Sequence, residues 1–283
     1  MPPALRVVCA GALFATGGAL IKACELPSLQ RAGLRALFAA ATLFVLLPEA
    51  RRRPDRRMLL LAPAFFAATG LFVVANTLTT AANAIFLQAT APLWLVLLGP
   101  PLLGERARRR DVVVLVGVAA GMALCLSAPG SAQATAPDPR LGDAIALAAG
   151  VGYALLLAGM RRLSRREPGA NVAAIAWGNA IVCPLSFALM PLVGQTPSAG
   201  VATDWLVLAA LGVFQVGLAY VLLARAIGDV PAVRVSLLLM IEPALNPVLA
   251  WLAHGERPPW QTFAGGALIV GSVASDSLTR RRR

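Results

Sequence analysis

The residues of this sequence that could do chemistry are mostly single polar side chains inside long apolar runs. The clearest is Glu242, in the stretch LLLMIEPALNPVLAWLAHGER at residues 237–257. It lies 11 residues after Pro231 and 12 before His254. At a rise of 1.5 Å per residue, a helix would place it about 16–18 Å from either end, near the centre of a ~30 Å hydrocarbon core. A carboxylate there is costly unless it is paired, solvated or protonated, so Glu242 is predicted to face the interior of a helix bundle.

The neighbours of Glu242 strengthen that prediction. Asn246 is four residues further on and shares its helical face. Pro243 and Pro247 remove two backbone donors, and the carbonyl groups they free would line a cavity. Two interpretations remain open. Glu242 binds a substrate amine or takes up a driving proton, or it ties its helix to a neighbour by hydrogen bonds.

A second group of candidates consists of polar and aromatic side chains near the middle of other apolar runs. As a set they suit a cavity for an amphipathic small solute, and each alone could instead join helices or lie at the membrane interface. They are Gln88, Trp94, Tyr153, Trp177, Gln215 and Tyr220. Arg35 lies six residues into its run, and either snorkels to the surface or offers a cation to a substrate carboxylate. Lys22 and Glu25 are predicted to form an interfacial pair.

Composition decides which elements must position these residues. Hydrophobic residues make up 58% of the 283 positions and charged residues only 13%, whereas soluble domains carry about 25% charged residues. The chain is therefore predicted to be an all-α integral membrane protein. One histidine, four scattered cysteines and the absence of HExxH, GxSxG and GxxxxGK[ST] argue against a metal, a cofactor or an ATPase. An intramembrane enzyme remains a remote alternative.

The apolar runs and the arginines together predict a topology. Ten runs are long enough to span, at roughly 5–22, 29–47, 58–77, 79–99, 112–128, 141–160, 170–193, 204–224, 231–253 and 260–277. With both termini cytoplasmic, 20 of the 25 basic residues fall on the inner side. That bias follows the positive-inside rule, so the basic charge needs no nucleic-acid partner.

The two halves of the chain repeat one pattern. Pro92 lies 13 residues before Glu105, Pro243 lies 13 residues before Glu256, and both glutamates stand in Gly-Glu-Arg. The predicted repeats are 1–128 and 141–283, joined by a periplasmic linker at 129–140. Five helices per half require the second half to be inverted, as in many secondary transporters. The paired glutamates are predicted to have a structural or gating role, holding neighbouring helix ends by accepting from backbone N–H groups or arginine, and direct contact with a substrate is the alternative. Glu242 has no acidic counterpart in the first half.

At this point the sequence resembles the drug/metabolite transporter superfamily, specifically the ten-helix EamA-domain exporters. The resemblance rests on three stretches and covers nearly the whole chain: PSLQRAGLRALFAAATLFVLL (27–47), TAANAIFLQATAPLWLVLLGPPLLGER (80–106) and GLAYVLLARAIGDVPAVRVSLLLMIEPALNPVLAWLAHGER (217–257). The Glu-Pro pair at 242–243 is similar to that of amino-acid exporters of the threonine/homoserine kind. The resemblance implies export of a small metabolite.

The predicted function is a secondary transporter of the bacterial inner membrane that exports amino acids or amphipathic toxic compounds by alternating access. The expected partners are the small solute, the bilayer and, as coupling ion, the proton. A facilitative carrier or importer, a channel and a lipid scramblase are the alternatives. Oligomeric state and substrate identity are not predicted.

Overall fold

The computed structural model describes residues 1–91, 93–95, 97–98, 109–128, 134–164, 169–226, 238–239 and 241–280. Within those ranges every regular element is helical, so the predicted all-α class is confirmed for them. Two of the predicted site residues, Pro92 and Glu105, lie outside the described residues.

Thirteen α-helices follow one another along the described chain. In order, α1 to α13 are Pro3–Ala15, Gly17–Lys22, Ser28–Leu46, Arg56–Leu60, Ala62–Leu78, Ala81–Gln88, Arg109–Leu126, Pro139–Ser164, Ala170–Leu189, Ala202–Ala209, Ala219–Ala224, Ile241–His254 and Trp260–Arg280. A π-helical segment, Ala210–Leu218, joins α10 to α11.

Among the residues that the structure describes, five helical stretches are long and apolar enough to cross a membrane. They are Pro3–Lys22, Ser28–Leu46, Pro139–Met160, Ala170–Leu189 and Ala202–Ala224. The helix Ala62–Leu78 is apolar but shorter, and α6 begins three residues after it ends. The tight turn predicted between the third and fourth apolar runs is therefore confirmed.

The first apolar run is a broken helix. Helix α1 ends at Ala15 and α2 begins at Gly17, so Thr16 stands at a break in the middle of the run. The Thr16 hydroxyl donates to the Leu13 carbonyl at 2.7 Å. Such a bond to the preceding turn bends a helix, so the break has a local cause.

The helices pack in a pattern that links the two halves of the chain. The most extensive pairings are α5 with α8, α7 with α13, and α3 with both α9 and the π-helical segment. Between α7 and α13, a Cβ on Gly121 or on Gly265 would lie 2.5 Å from the other residue's carbonyl oxygen. Glycine at both positions therefore lets the two backbones touch.

The bundle has two ends, named here by one residue each. The Lys22 edge contains the end of α2, the turn between α5 and α6, and the end of α12. The Arg57 edge contains α4 and the end of α8. At the Lys22 edge, Gln30 and Ser198 exchange two hydrogen bonds of 2.7 and 2.9 Å, which hold the connection between α9 and α10 over the start of α3.

Candidate functional site

Four of the predicted site residues lie near enough to one another to interact electrostatically. Glu242 of α12 interacts electrostatically with Arg35 of α3, Tyr153 of α8 and Tyr220 of α11. Arg35 in turn interacts with Tyr220. Four helices from both halves of the chain thus contribute one side chain each, and these four residues are called the central cluster below.

Arg35 does not snorkel to the surface. The residue is only 7% exposed, because its face of α3 packs on the π-helical segment. A Cβ on Gly212 would lie 2.6 Å from the Arg35 carbonyl oxygen. Glycine at this position therefore allows the π-helical segment to pack close to α3. That Arg35 offers its cation to a substrate carboxylate stays a prediction.

Asn246 and Gln215 lie against the broken first helix. Asn246 is fully buried, and its Oδ1 would be 2.5 Å from a Cβ on Gly18. The Nε2 of Gln215 would be 2.9 Å from a Cβ on Gly17. The two glycines after the break therefore make room for two amide side chains, one from each of two other helices.

The break also supplies a hydrogen-bond acceptor. Gln215 Nε2 donates to the Phe14 carbonyl at 3.2 Å, in the last turn of α1. Gln215 sits in the π-helical segment, whose wider turns are rare and are frequent at functional sites. The Tyr220 ring packs edge-on against Phe14 at 5.2 Å, which connects the break to the central cluster.

Several buried polar atoms around the central cluster have no hydrogen-bond partner in the described part of the chain. They are Nη1 of Arg35, Oε1 of Gln215, and both Oδ1 and Nδ2 of Asn246. Buried polar groups are nearly always paired, so each exception needs an explanation. Here the unpartnered atoms include part of the Arg35 guanidinium and the amide of Asn246, one turn after Glu242 on α12, and such groups can bind a polar or charged solute.

The remaining cavity candidates make hydrogen bonds of their own. Gln88 donates to the Ala68 carbonyl of α5 at 2.6 Å, and Trp94 donates to Thr90 one turn earlier at 3.1 Å. Trp177 donates to the Arg52 carbonyl at 2.8 Å, near the Arg57 edge. Pro243 is buried within α12.

A second polar site lies at the Lys22 edge. Lys22 Nζ is 3.2 Å from Glu256 Oε1, and the two side chains are 3% and 1% exposed. Glu256 Oε2 accepts from the backbone N–H of Ala81 at 2.9 Å, at the start of α6. Lys22 also donates to the carbonyl groups of Thr79, at 2.8 Å, and Thr135. These residues are called the latch below.

The latch corrects one prediction and agrees with another. Lys22 is paired with Glu256 and not with Glu25, because α2 ends at Lys22 and the helical i, i+3 spacing stops there. Glu256 does hold a neighbouring helix start by accepting a backbone N–H, and its cationic partner is a lysine rather than an arginine.

Sequence reasoning missed Asp143. Its carboxylate accepts from the Thr79 hydroxyl at 2.6 Å and from Asn83 Nδ2 at 3.0 Å. Asn83 Oδ1 accepts from the Thr262 hydroxyl at 2.7 Å. The network joins α5, α6, α8 and α13 next to the latch. The sequence does contain a signal that could have identified Asp143: it is an acidic residue, five positions after Asp138, inside an otherwise apolar run.

Comparison with known proteins agrees with this architecture. The model of the EamA-like transporter family matches residues 1–127 and again residues 140–275. An uncharacterized transporter from Archaeoglobus fulgidus is 24% identical over 221 residues, which cover 78% of this chain and 76% of that protein. A protein of known crystal structure shares the fold, with a TM-score of 0.68 and 23% identity over 99% of this chain and 97% of the other. The chain thus belongs to the EamA-like transporter family and is a membrane transporter.

Proposed function

We propose that this protein is a secondary transporter that exports small amphipathic metabolites, amino acids among them, by alternating access. One observation carries the proposal: the central cluster sets a carboxylate and a guanidinium among unpartnered polar atoms inside an apolar bundle. Intramembrane ionisable groups mark substrate and ion pathways.

The charges of the central cluster favour a solute that carries both an amine and a carboxylate. Glu242 offers an anion and Arg35 a cation, and their mutual attraction makes each charge tolerable in the bundle. A zwitterion would satisfy both charges at once, while Tyr153 and Tyr220 add aromatic faces and hydroxyl groups. Arg35 suits the carboxylate because its planar guanidinium can donate two parallel hydrogen bonds.

Glu242 is the proposed proton carrier. It is the only acidic residue of the central cluster, and an acid that can exchange a proton during transport could couple export to the proton gradient. The first half has alanine at the equivalent position, Ala91. The repeated scaffold therefore does not need this carboxylate for its own stability.

The packing of the helices supports two halves related by a two-fold axis in the membrane plane. If α1 and α2 correspond to α8, α3 to α9, α5 to the π-helical segment together with α11, and α6 to α12, the major contacts between the halves have counterparts. The pairing of α5 with α8 corresponds to that of α11 with α1, and the pairing of α6 with α8 to that of α12 with α1. Such inverted repeats rock against each other around a central site.

The arginines set the proposed orientation. Arg57 and Arg162 share one edge, and the Arg6 guanidinium donates to the Arg225 carbonyl at 3.0 Å, so α1 and α11 also have their basic ends together. By the positive-inside rule that edge is cytoplasmic. The proposal is a ten-helix bundle in the bacterial inner membrane with both termini inside, in which the latch closes the periplasmic side.

Transport in proteoliposomes tests the proposal. A panel of amino acids and cationic drugs is measured with and without an imposed pH gradient, for the wild type, Glu242→Gln and the control Glu49→Gln, an exposed acid outside the bundle. The wild type and the control should show saturable, pH-driven transport with counter-flow, and Glu242→Gln should lose the pH-driven part. Full pH-driven transport by Glu242→Gln would remove its proposed role, and transport without saturation or counter-flow would indicate a channel.

A further inference from the structure

A groove opens on the side of the bundle at the Arg57 edge, and no residue of the central cluster lines it. It has a volume of about 530 Å³ and lies between α4 and the start of α5 on one side and the last turns of α8 on the other. Its walls are largely aliphatic, including Leu60, Leu61, Leu155 and Leu163, and two arginines, Arg57 and Arg162, also line it. The groove joins a helix of each half of the chain.

The exposure of its wall residues shows which way the groove faces. Leu155 on α8 is 36% exposed, so this wall of the groove lies at the surface of the bundle. In a membrane-spanning bundle the outward face contacts lipid, and Leu60 on the opposite wall is 68% exposed. An acyl chain is the natural occupant of such walls.

The two arginines give the groove a charged end. Both are exposed, and neither has a hydrogen bond or an ion pair with any described residue. Guanidinium groups bind phosphate oxygens through paired, charge-assisted hydrogen bonds. Basic pockets beside transmembrane helices at the cytoplasmic face are typical sites for anionic headgroups.

We propose that this groove is a binding site for an anionic phospholipid of the inner leaflet. The phosphodiester of a lipid such as phosphatidylglycerol lies between Arg57 and Arg162, and an acyl chain lies along the leucines. A free anion would use only the two arginines, so the apolar walls favour a lipid. The site is independent of the substrate and of the coupling ion, and it would connect α5 with α8, a pair that moves if the halves rock.

Native mass spectrometry of the detergent-purified protein tests the site. The protein is titrated with phosphatidylglycerol, with phosphatidylcholine of the same acyl chains, and with inorganic phosphate as competitor. The control variant Arg53→Gln/Arg56→Gln removes the same charge from the same edge at exposed positions that do not line the groove.

We expect the wild type and the control variant to prefer phosphatidylglycerol over phosphatidylcholine. Arg57→Gln/Arg162→Gln should bind phosphatidylglycerol roughly tenfold more weakly, since both paired contacts to the phosphate are lost. Should that variant fail to fold, Arg57→Lys/Arg162→Lys keeps both charges without the forked geometry and should show an intermediate loss. The proposal is overturned by equal losses in the groove and control variants, by no headgroup preference in the wild type, or by displacement of the lipid by millimolar inorganic phosphate.

Discussion

The latch provides a quantitative test of whether the Lys22 edge opens and closes. Lys22 and Glu256 are 3.2 Å apart and almost completely buried, so replacing either one leaves the other as an uncompensated buried charge. Breaking a buried pair in this way costs about 3–5 kcal/mol. This cost applies only to the closed state, because the charged side chain that remains is hydrated when the edge opens. The ratio of open to closed molecules should therefore rise roughly 10²–10⁴-fold in Lys22→Gln and in Glu256→Gln.

Cys24 can report that change. It is 1% exposed at the same edge, and burial raises the pKa of its thiol, which slows its reaction while the edge is closed because the thiolate is the reactive form. In a variant that keeps only this cysteine, with Cys9, Cys125 and Cys183 replaced by alanine, the rate of labelling by a membrane-impermeant maleimide follows the open population. Both single variants should react faster than the parent, at a temperature well below their melting transitions.

Two further variants make the result specific. Lys22→Gln/Glu256→Gln leaves no unpaired charge, so its increase should be smaller than the sum of the two single effects in free energy. Glu25→Gln removes an exposed acid from the same edge and should leave the labelling rate unchanged. Unchanged rates in both single variants, or an equal increase in Glu25→Gln, would refute the reasoning.

Two further predictions concern stability, measured by thermal melting in detergent. Gly18→Ala should lower the melting temperature and the transport rate, because its Cβ would lie 2.5 Å from Asn246 Oδ1 and such overpacking costs about 1–3 kcal/mol. The control Gly271→Ala should leave both quantities unchanged, because no atom lies within 4 Å of the added Cβ. Equal effects of the two substitutions would contradict the packing argument. Asp143→Asn should destabilise the protein by roughly 1.5–3 kcal/mol, since the bonds from Thr79 and Asn83 are to a charged acceptor. The control Asp55→Asn should leave the stability nearly unchanged, because asparagine caps a helix start as well as aspartate does. A larger loss of stability at residue 55 than at residue 143 would contradict the prediction.

Much of the helical framework could be predicted because the bilayer fixes the length and polarity of a spanning helix. The apolar runs therefore mark most helices to within a few residues. The predicted turn between α5 and α6 follows from the same length limit, since one block of about 40 apolar residues is too long for a single span. Glu242 and Asn246 could be identified because a charged or amide side chain in such a run is costly to expose to lipid and must face the interior of the bundle.

The partners of polar residues could not be predicted from local spacing. Lys22 has an acidic residue three positions later, yet its partner comes from the other half of the chain. Asp143 and Asn83 also meet across a long stretch of sequence. The wide turn around Gln215 has the same origin, because it depends on how glycine and amide side chains fit between helices that are distant in sequence.

The latch can form only after most of the chain has been synthesised. Ala81 and Glu256 are 175 positions apart in the chain, and Lys22 comes earlier still. Domains made on the ribosome form from the N-terminus onward, so the first helix enters the bilayer long before its acidic partner exists. Until then the ammonium group of Lys22 can stay hydrated only by remaining at the water interface. The closed edge therefore forms late in biogenesis, after α12 has been inserted, and a chain that stops before Glu256 leaves its first helix without this tie.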